Sequence, residues 1–418
     1  MLRLHPSTLS IALLGATLAT SGSVTAAEDI ATLWREGKPI LDLRYRFEHV
    51  DQDNALDHAN AQTLRTRVGF QSGKWYGLSA LLEVDNVSRL GKEAYNDTRN
   101  GQNQYAVVAD PDGSEVNQAL LRYDHALGSL VAGRQRINLD NQRFVGGVAW
   151  RQNEQTYDGL LGQLKPLDGL TLTYAYLDTI NTVFGPDGQH GVKNNPANID
   201  GHSHLFNLQY VLDPRLTATA YHYRLELDNL AFSRAAADPL GTQSSQITGL
   251  RLNGALQGVS YVLEYARQRD HADNPLELSS DYYLAELGYT LAGVALKAGH
   301  EVLGGDEGPG NRAFQTPLAT KHAFQGWADI FLLTPTEGIR DSYLGASTPL
   351  LGGTLQAWYH DFRAERGSSQ YGEEIDIAYS RPVPGVKGLV ATIKYAGYDA
   401  DDFAVDTDKL WAQLQYSY

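Results

Sequence analysis

From Leu41 to Glu48 the chain reads Leu-Asp-Leu-Arg-Tyr-Arg-Phe-Glu, apolar at every odd position and charged at every even one. A helix turning by ~100° per residue would scatter those four apolar side chains around its axis, whereas a strand collects them on one face. The alternation recurs through Leu64, Thr66, Val68 and Phe70, through Val259, Tyr261, Leu263 and Tyr265, and through Ile375, Ile377 and Tyr379. It returns in Leu389, Ala391, Ile393 and Tyr395, and in the last segment, where Leu410, Ala412, Leu414, Tyr416 and Tyr418 share a face. Beyond the N-terminus no apolar run is long enough, at ~18 residues, to make a transmembrane helix. The pattern specifies an all-β chain.

Turn residues order the strands. Short signals stand at Ser72-Gly73, His125 to Gly128, Pro166 to Gly169, Asp213-Pro214, Gly254 to Gly258, Leu291 to Gly293, Pro349 to Gly353 and Pro382 to Gly388. Between them run long polar segments, among them 87–115, 138–154, 180–202, 229–244 and 304–338. A compact soluble domain rarely carries several loops beyond ~15 residues. An outer-membrane barrel expects them, opposite its short periplasmic turns. Eight turns join sixteen strands, and the first and last strands bring the number to about eighteen. The expected fold is therefore a transmembrane antiparallel β-barrel, with both termini on the periplasmic side. A secreted sandwich, solenoid or propeller could show the same alternation. Loop-length asymmetry, the Tyr-rich apolar face, the terminal aromatic strand and the lack of a fixed 20–50 residue repeat weigh against those folds.

Composition narrows the function. With 34 Lys+Arg against 49 Asp+Glu the net charge is −15, which disfavours a nucleic-acid partner. The absence of Cys removes disulfides, thiolate nucleophiles and Cys-ligated metals. Arg3 and His5, the apolar run Leu9 to Ala19 and small residues up to Ala26 read as a secretory signal peptide over residues 1–26, leaving 27–418 as a single barrel domain.

Gly133-Arg134-Gln135-Arg136-Ile137, then Asp140-Asn141-Gln142-Arg143-Phe144-Val145-Gly146, Trp150-Arg151-Gln152-Asn153 and Gln155-Thr156-Tyr157-Asp158-Gly159 resemble the alginate-export family of outer-membrane porins. So does His322-Ala323-Phe324-Gln325-Gly326-Trp327-Ala328-Asp329, followed by Thr334-Pro335 and Gly338. The resemblance implies an 18-stranded barrel in the outer membrane of a Gram-negative bacterium, with a loop of about residues 138–154 folded into the pore. It leaves the solute open, because the family includes porins beside the alginate exporter.

Parity places the charges. If Leu43, Tyr45, Val68 and Phe70 face lipid, Arg44, Arg46, Arg65 and Arg67 face the lumen, since Arg at the lipid midplane would cost ~2–4 kcal/mol. Arg122, Arg134 and Arg136 follow from the next strands, and Arg143 and Arg151 join them if their loop folds inward. This set is read as a pore-lining anion path; the competing reading pairs each Arg with a lumen carboxylate such as Asp42, Glu48, Glu83, Asp85 or Asp124. By the same parity Glu286, Glu301, Glu374 and Asp376 form an opposing acidic wall, with Lys297 and Lys394 among them. Phe144, Trp150, Tyr157 and Trp327 could form a sugar track or simply pack loops. No Gly-x-Ser-x-Gly or His-Glu-x-x-His motif is present, and His202 with His204, or the acids from Asp399 to Asp408, read as polar strand and loop residues rather than metal ligands. No catalytic residue, metal or cofactor is expected.

The function expected is passive diffusion of small anionic or polar solutes, organic anions and short saccharides included. The alternative is export of alginate or another polyuronate; an outer-membrane hydrolase is the third reading. Expected partners are outer-membrane lipid and lipopolysaccharide, the assembly machinery through the strand ending at Tyr418, and the solute.

Overall fold

The computed structural model describes residues 29–418 apart from 187–194, 229, 231–242 and 307; the expected signal peptide lies outside the described residues. A short helix, Thr32–Arg35, precedes β1 (Lys38–Gln52), β2 (Ala59–Gln71), β3 (Leu78–Arg89), β4 (Gly113–His125), β5 (Gly128–Gln135), β6 (Thr156–Leu167), β7 (Leu170–Asn181), β8 (Asn198–Asp213) and β9 (Leu216–Leu225). Then come β10 (Ser245–Leu256), β11 (Val259–Asp270), β12 (Ser279–Leu291), β13 (Val294–Gly304), β14 (Gly338–Leu350), β15 (Gly353–Arg363), β16 (Gln370–Pro382), β17 (Leu389–Ala400) and β18 (Thr407–Ser417). Each strand pairs antiparallel with its sequence neighbours, and β1 closes on β18 with Leu43 opposite Tyr416 and Phe47 opposite Ala412. The Tyr418 N–H donates to the Leu41 carbonyl at 2.9 Å and extends the seam to the last residue. Closure leaves no strand edge unpaired, which a bilayer without water demands.

All eight short turns fall where the Gly, Pro and Asp signals lie. Those centred on Gln257-Gly258, Ala292-Gly293 and Leu351-Gly352 have both residues at φ between +47° and +84°. Two-residue hairpins with positive φ at both positions match the right-handed twist of the strands, and Gly at the second position takes that geometry without a Cβ clash. The strand ends joined by the nine long segments all lie at the opposite end, and the first and last strands begin and end beside the short turns.

The barrel is inside-out relative to a soluble sandwich. Val68, Leu121, Leu263, Leu287, Leu344 and Ile393 point outward and are exposed, while Arg46, Arg65, Glu83 and Asp85 point inward and are buried. The loops supply an unexpected interior. Residues 136–155, between β5 and β6 (loop 3), and residues 305–337, between β13 and β14 (loop 7), both fold into the lumen. Val145 of loop 3 forms a parallel bridge with Leu318 of loop 7. Phe144, Val145, Phe314, Leu318 and Phe331 pack with inward Tyr221, Tyr282, Phe362, Tyr398 and Trp411 in one buried cluster. Two loops, not the single expected segment of about 138–154, thus pack inside the lumen.

The inside-out pattern carries a direct test. Leu344, near the middle of β14 and 60% exposed on the outer face, should not tolerate a charge. Leu344→Arg should lower unfolding stability in lipid vesicles by ~2–4 kcal/mol. A fully tolerated Arg in urea titrations of the reconstituted protein would place this face away from lipid.

Candidate functional site at the junction of loops 3 and 7

Inward parity on β1 and β2 puts Arg44 directly opposite Arg65, with Arg46 and Arg67 one step away on either strand. Loop 3 lies on this wall. Arg44 donates to the carbonyls of Ala149, Trp150 and Arg151 at 2.9, 3.3 and 3.2 Å and to Gln415 at 3.2 Å. Arg46 donates to the Trp150 carbonyl at 2.6 Å and to Gln413 at 2.7 Å, and its guanidinium stacks 4.1 Å from the Trp150 ring. Arg67 grips both oxygens of Asp85, at 2.7 and 2.6 Å, and reaches Glu154 of loop 3 at 2.7 Å. Arg136 meets the other oxygen of Glu154 at 2.5 Å. Arg151 runs the other way, from the loop to Glu48 at 3.1 Å and Asp329 at 3.3 Å.

Six of the nine arginines singled out from sequence, Arg44, Arg46, Arg65, Arg67, Arg136 and Arg151, therefore meet around one side of loop 3. Arg143 leaves the opposite side of the loop for Glu301, at 2.8 Å, and Gln325, at 3.0 Å. Arg134 is held bidentate by Asp158 at 2.7 and 2.8 Å, and Arg122 pairs with Asp124 at 2.8 Å near the short turns; neither joins the cluster. Most of these charges are paired. Among the described residues, Arg44 alone of the nine has no carboxylate within ion-pair distance, and Arg65, bound to Asp42 through Nη2 at 2.5 Å, has Nε and Nη1 buried without a partner.

The acidic wall is also engaged. Glu374 accepts from the Ala328 amide at 2.7 Å and Asp376 from the Trp327 amide at 3.2 Å, so both grip the backbone of loop 7. Glu301 takes Arg143, the Tyr282 hydroxyl at 2.7 Å and Gln325. Glu286 stands apart, bound to Lys297 at 2.9 Å and the Tyr343 hydroxyl at 2.8 Å. The two walls do not face each other across open water; the paired loops lie between them and neutralise part of each.

Sequence reasoning missed the centre of the junction. His322 Nδ1–H donates to Asp329 at 2.7 Å, and its Nε2 accepts from Lys394 at 2.7 Å, a tautomer set by those partners. The ring stacks on Trp150 of loop 3 at 4.5 Å and 5°, and the Lys394 ammonium sits 3.5 Å over Trp327. Asp329 collects Arg151 and Lys409, the latter at 3.2 Å. Asp110, from the loop between β3 and β4, adds a carboxylate 3.6 Å from Arg46 and 3.7 Å from Arg151. The His322-to-Asp329 run was visible as a motif, but nothing local in it signals contacts with residues 150 and 394. Phe144 and Tyr157 are buried in loop packing, and His202 and His204 stand on the outer face, bonded to Tyr176 and Tyr174 at 2.8 and 2.9 Å.

Burial sets the charge states of the loop groups. It pushes His322 down to about 3, outweighing the pull of Asp329. It would raise Glu154, but Arg67 and Arg136 hold that carboxyl below its usual range. Asp329 likewise lies well below the ordinary carboxylate range, because His322 and Lys409 overcome its burial.

The family model described as "Alginate export" matches residues 41–318. The chain belongs to the alginate export family. Among curated proteins no sequence match was found. Solved structures show the same barrel: OccAB4 of Acinetobacter baumannii aligns with a TM-score of 0.71 at 13% identity over 91% of this chain and 98% of that one. OccK3 (OpdO) of Pseudomonas aeruginosa aligns at 0.67 and 18% over 93% and 97%, and OccK9 (OpdG) of the same organism at 0.66 and 17% over 92% and 99%. In this family member loops 3 and 7 meet inside the lumen, and their junction is the candidate site.

The junction responds to acid in a defined direction. An unfolded His titrates near ~6.5 and His322 near 3, so the folded state binds fewer protons. Its stabilising contribution is complete above pH ~6.5 and declines as pH falls toward 3, by at most ~1.4 kcal/mol per unit. Asp329, held well below the ordinary carboxylate range, keeps its charge over the interval from pH 7 to pH 4. Amide exchange across 320–330 should accelerate between pH 7 and pH 4, after correction for intrinsic rates. Constant protection would show that His322 does not hold the loop.

Proposed function

We propose that this family member is a porin of the Gram-negative outer membrane that passes small anionic or polar solutes, organic anions and short saccharides, down their gradients. The observation that carries the reading is the Arg44–Arg65 pair. Two like charges face each other across a strand pair, one bonded only to neutral acceptors and the other retaining two buried N–H groups. A solute carboxylate or phosphate would satisfy these groups better than loop carbonyls do, because hydrogen bonds between two charged groups are about twice as strong as neutral ones. Loops 3 and 7 set the aperture, and the paired arginines hold loop 3 in place. The molecule acts as a channel, with no enzymatic step.

Export of alginate or another polyuronate is the second reading, favoured by the family description. A long polyuronate needs a continuous positive track, and the pairing of Arg67, Arg134, Arg136, Arg143 and Arg151 interrupts it. We take residues 1–26 as the export signal and the strand ending at Tyr418 as the segment offered to the assembly machinery.

In planar bilayers, Arg44→Glu with Arg65→Glu should shift the reversal potential in a salt gradient toward cations. Charge reversal of Arg122, outside the cluster, should leave it nearly unchanged. Equal selectivity in a folded double variant would make the pair structural. Length-dependent current block by oligouronates, without block by matched neutral oligomers, would favour the exporter.

A further inference from the structure

The outer face carries a second charge pattern, unrelated to the lumen. Strand register places His204, Arg224, Gln246, Arg269 and Ser279 side by side across β8 to β12. Two residues nearer the short turns, Phe206, His222, Thr248, Arg267 and Asp281 form the next row. Their inward neighbours Leu205, Tyr223, Ile247 and Gln268 are buried, so alternation points these side chains outward. One further step down lie Tyr265 and Tyr283, exposed on the outer face with ring centroids 5.3 Å apart. Aromatic residues mark the level where hydrocarbon gives way to headgroups. Arg267 and Arg269 follow Tyr265 along β11 toward the long external loops, and register sets Arg224 in the row of Arg269.

Their pairing sets them apart from other outward arginines. Arg363 is gripped bidentate by Asp361 at 2.8 and 2.9 Å, and Arg340 donates to the Ala364 carbonyl at 2.8 Å. Among the described residues neither Arg224 nor Arg269 has an ion-pair partner. Arg267 touches the Ser279 hydroxyl at 2.7 Å and lies 3.8 Å from Asp281, with its Nε buried and unpartnered. Asp281 stands opposite Arg267 and accepts from the Tyr265 hydroxyl at 2.8 Å, while Asp200 of β8 and Glu226, just beyond β9, lie farther toward the long loops. Arg224 and Arg269 are two strands apart, roughly 10 Å at ~4.8 Å per strand.

We propose that Arg224, Arg267 and Arg269 bind the phosphates of the phosphorylated glycolipid of the outer leaflet, lipid A. Guanidinium forks match phosphate oxygens in geometry and charge. A diphosphorylated headgroup lying just above its acyl chains meets this patch with those chains against Leu208, Leu250 and Leu263, which continue the exposed face toward the short turns. The partner is thus specified both by charge and by depth.

The test is a titration of fluorescent diphosphorylated lipid A onto the purified barrel in detergent. Three parallel arms use fully dephosphorylated lipid A, phosphatidylglycerol micelles, and the triple variant Arg224→Gln, Arg267→Gln, Arg269→Gln. Each basic residue near an anionic headgroup contributes about fivefold, so the triple variant should bind on the order of a hundredfold more weakly. Arg363→Gln, on the same outer surface but outside the patch, should bind as the wild type does. Wild-type protein should discriminate strongly against the dephosphorylated lipid and against phosphatidylglycerol. Equal binding of dephosphorylated lipid A by the wild type would overturn the proposal without reference to any variant. Unchanged affinity in a triple variant that still shows heat-modifiable migration would overturn it too, and so would equal affinity for phosphatidylglycerol.

Discussion

Within a bilayer an unpaired backbone amide has no water to turn to, and the pairing of β1 with β18 answers that constraint for the whole sheet. Once the sheet is closed, strand alternation has only two destinations, lipid and lumen. Apolar residues such as Leu263 and Leu344 take the first, and charges take the second. Every later feature, including the arginine wall, its carboxylates and the inward loops, follows from a polar interior that must still satisfy its own charges.

A guanidinium buried to the extent of Arg46 or Arg65, each 1% exposed, is tolerable only with partners, because burial of an isolated charge is costly. The barrel meets this requirement with loops. Glu154, the carbonyls of residues 149–151 and Asp110 come to the basic wall, while Arg143 and the amides of Trp327 and Ala328 go to the acidic one. The same contacts that neutralise the walls hold loops 3 and 7 together, so aperture and electrostatics are set by one assembly. Arg44 and Arg65 are the places where neutralisation is incomplete, and the proposed anion path rests on them.

The barrel was legible in the sequence because its signals are local. Alternation at Leu41 to Glu48 and turn residues such as Leu291 to Gly293 depend only on near neighbours, and all eight short turns were found in this way. Parity assigned Arg44, Arg46, Arg65 and Arg67 to the face opposite Leu43 and Val68, and in the structure all four are buried. Their partners were not legible, because Arg67 reaches Glu154 and Arg143 reaches Glu301 across long sequence separations that depend on how a loop folds back. The inward fold of loop 7 was missed for the same reason: the stacking of His322 on Trp150 and the bridge from Val145 to Leu318 have no periodic signature. The outward arginines could have been read by parity, but only register shows that Arg224, Arg267 and Arg269 are neighbours.

Loops 3 and 7 form one joined unit inside the lumen. The chain has no native Cys, so Val145→Cys with Leu318→Cys introduces a single possible disulfide at the bridge between the loops. Cross-linking should be followed in intact outer membranes under mild oxidation, with single-channel conductance recorded before and after reduction. The account predicts nearly complete cross-linking with little change in conductance, since the bond would fix an arrangement already present. Failure to cross-link, or a conductance that rises severalfold on reduction, would show that the two loops are not joined in the working channel.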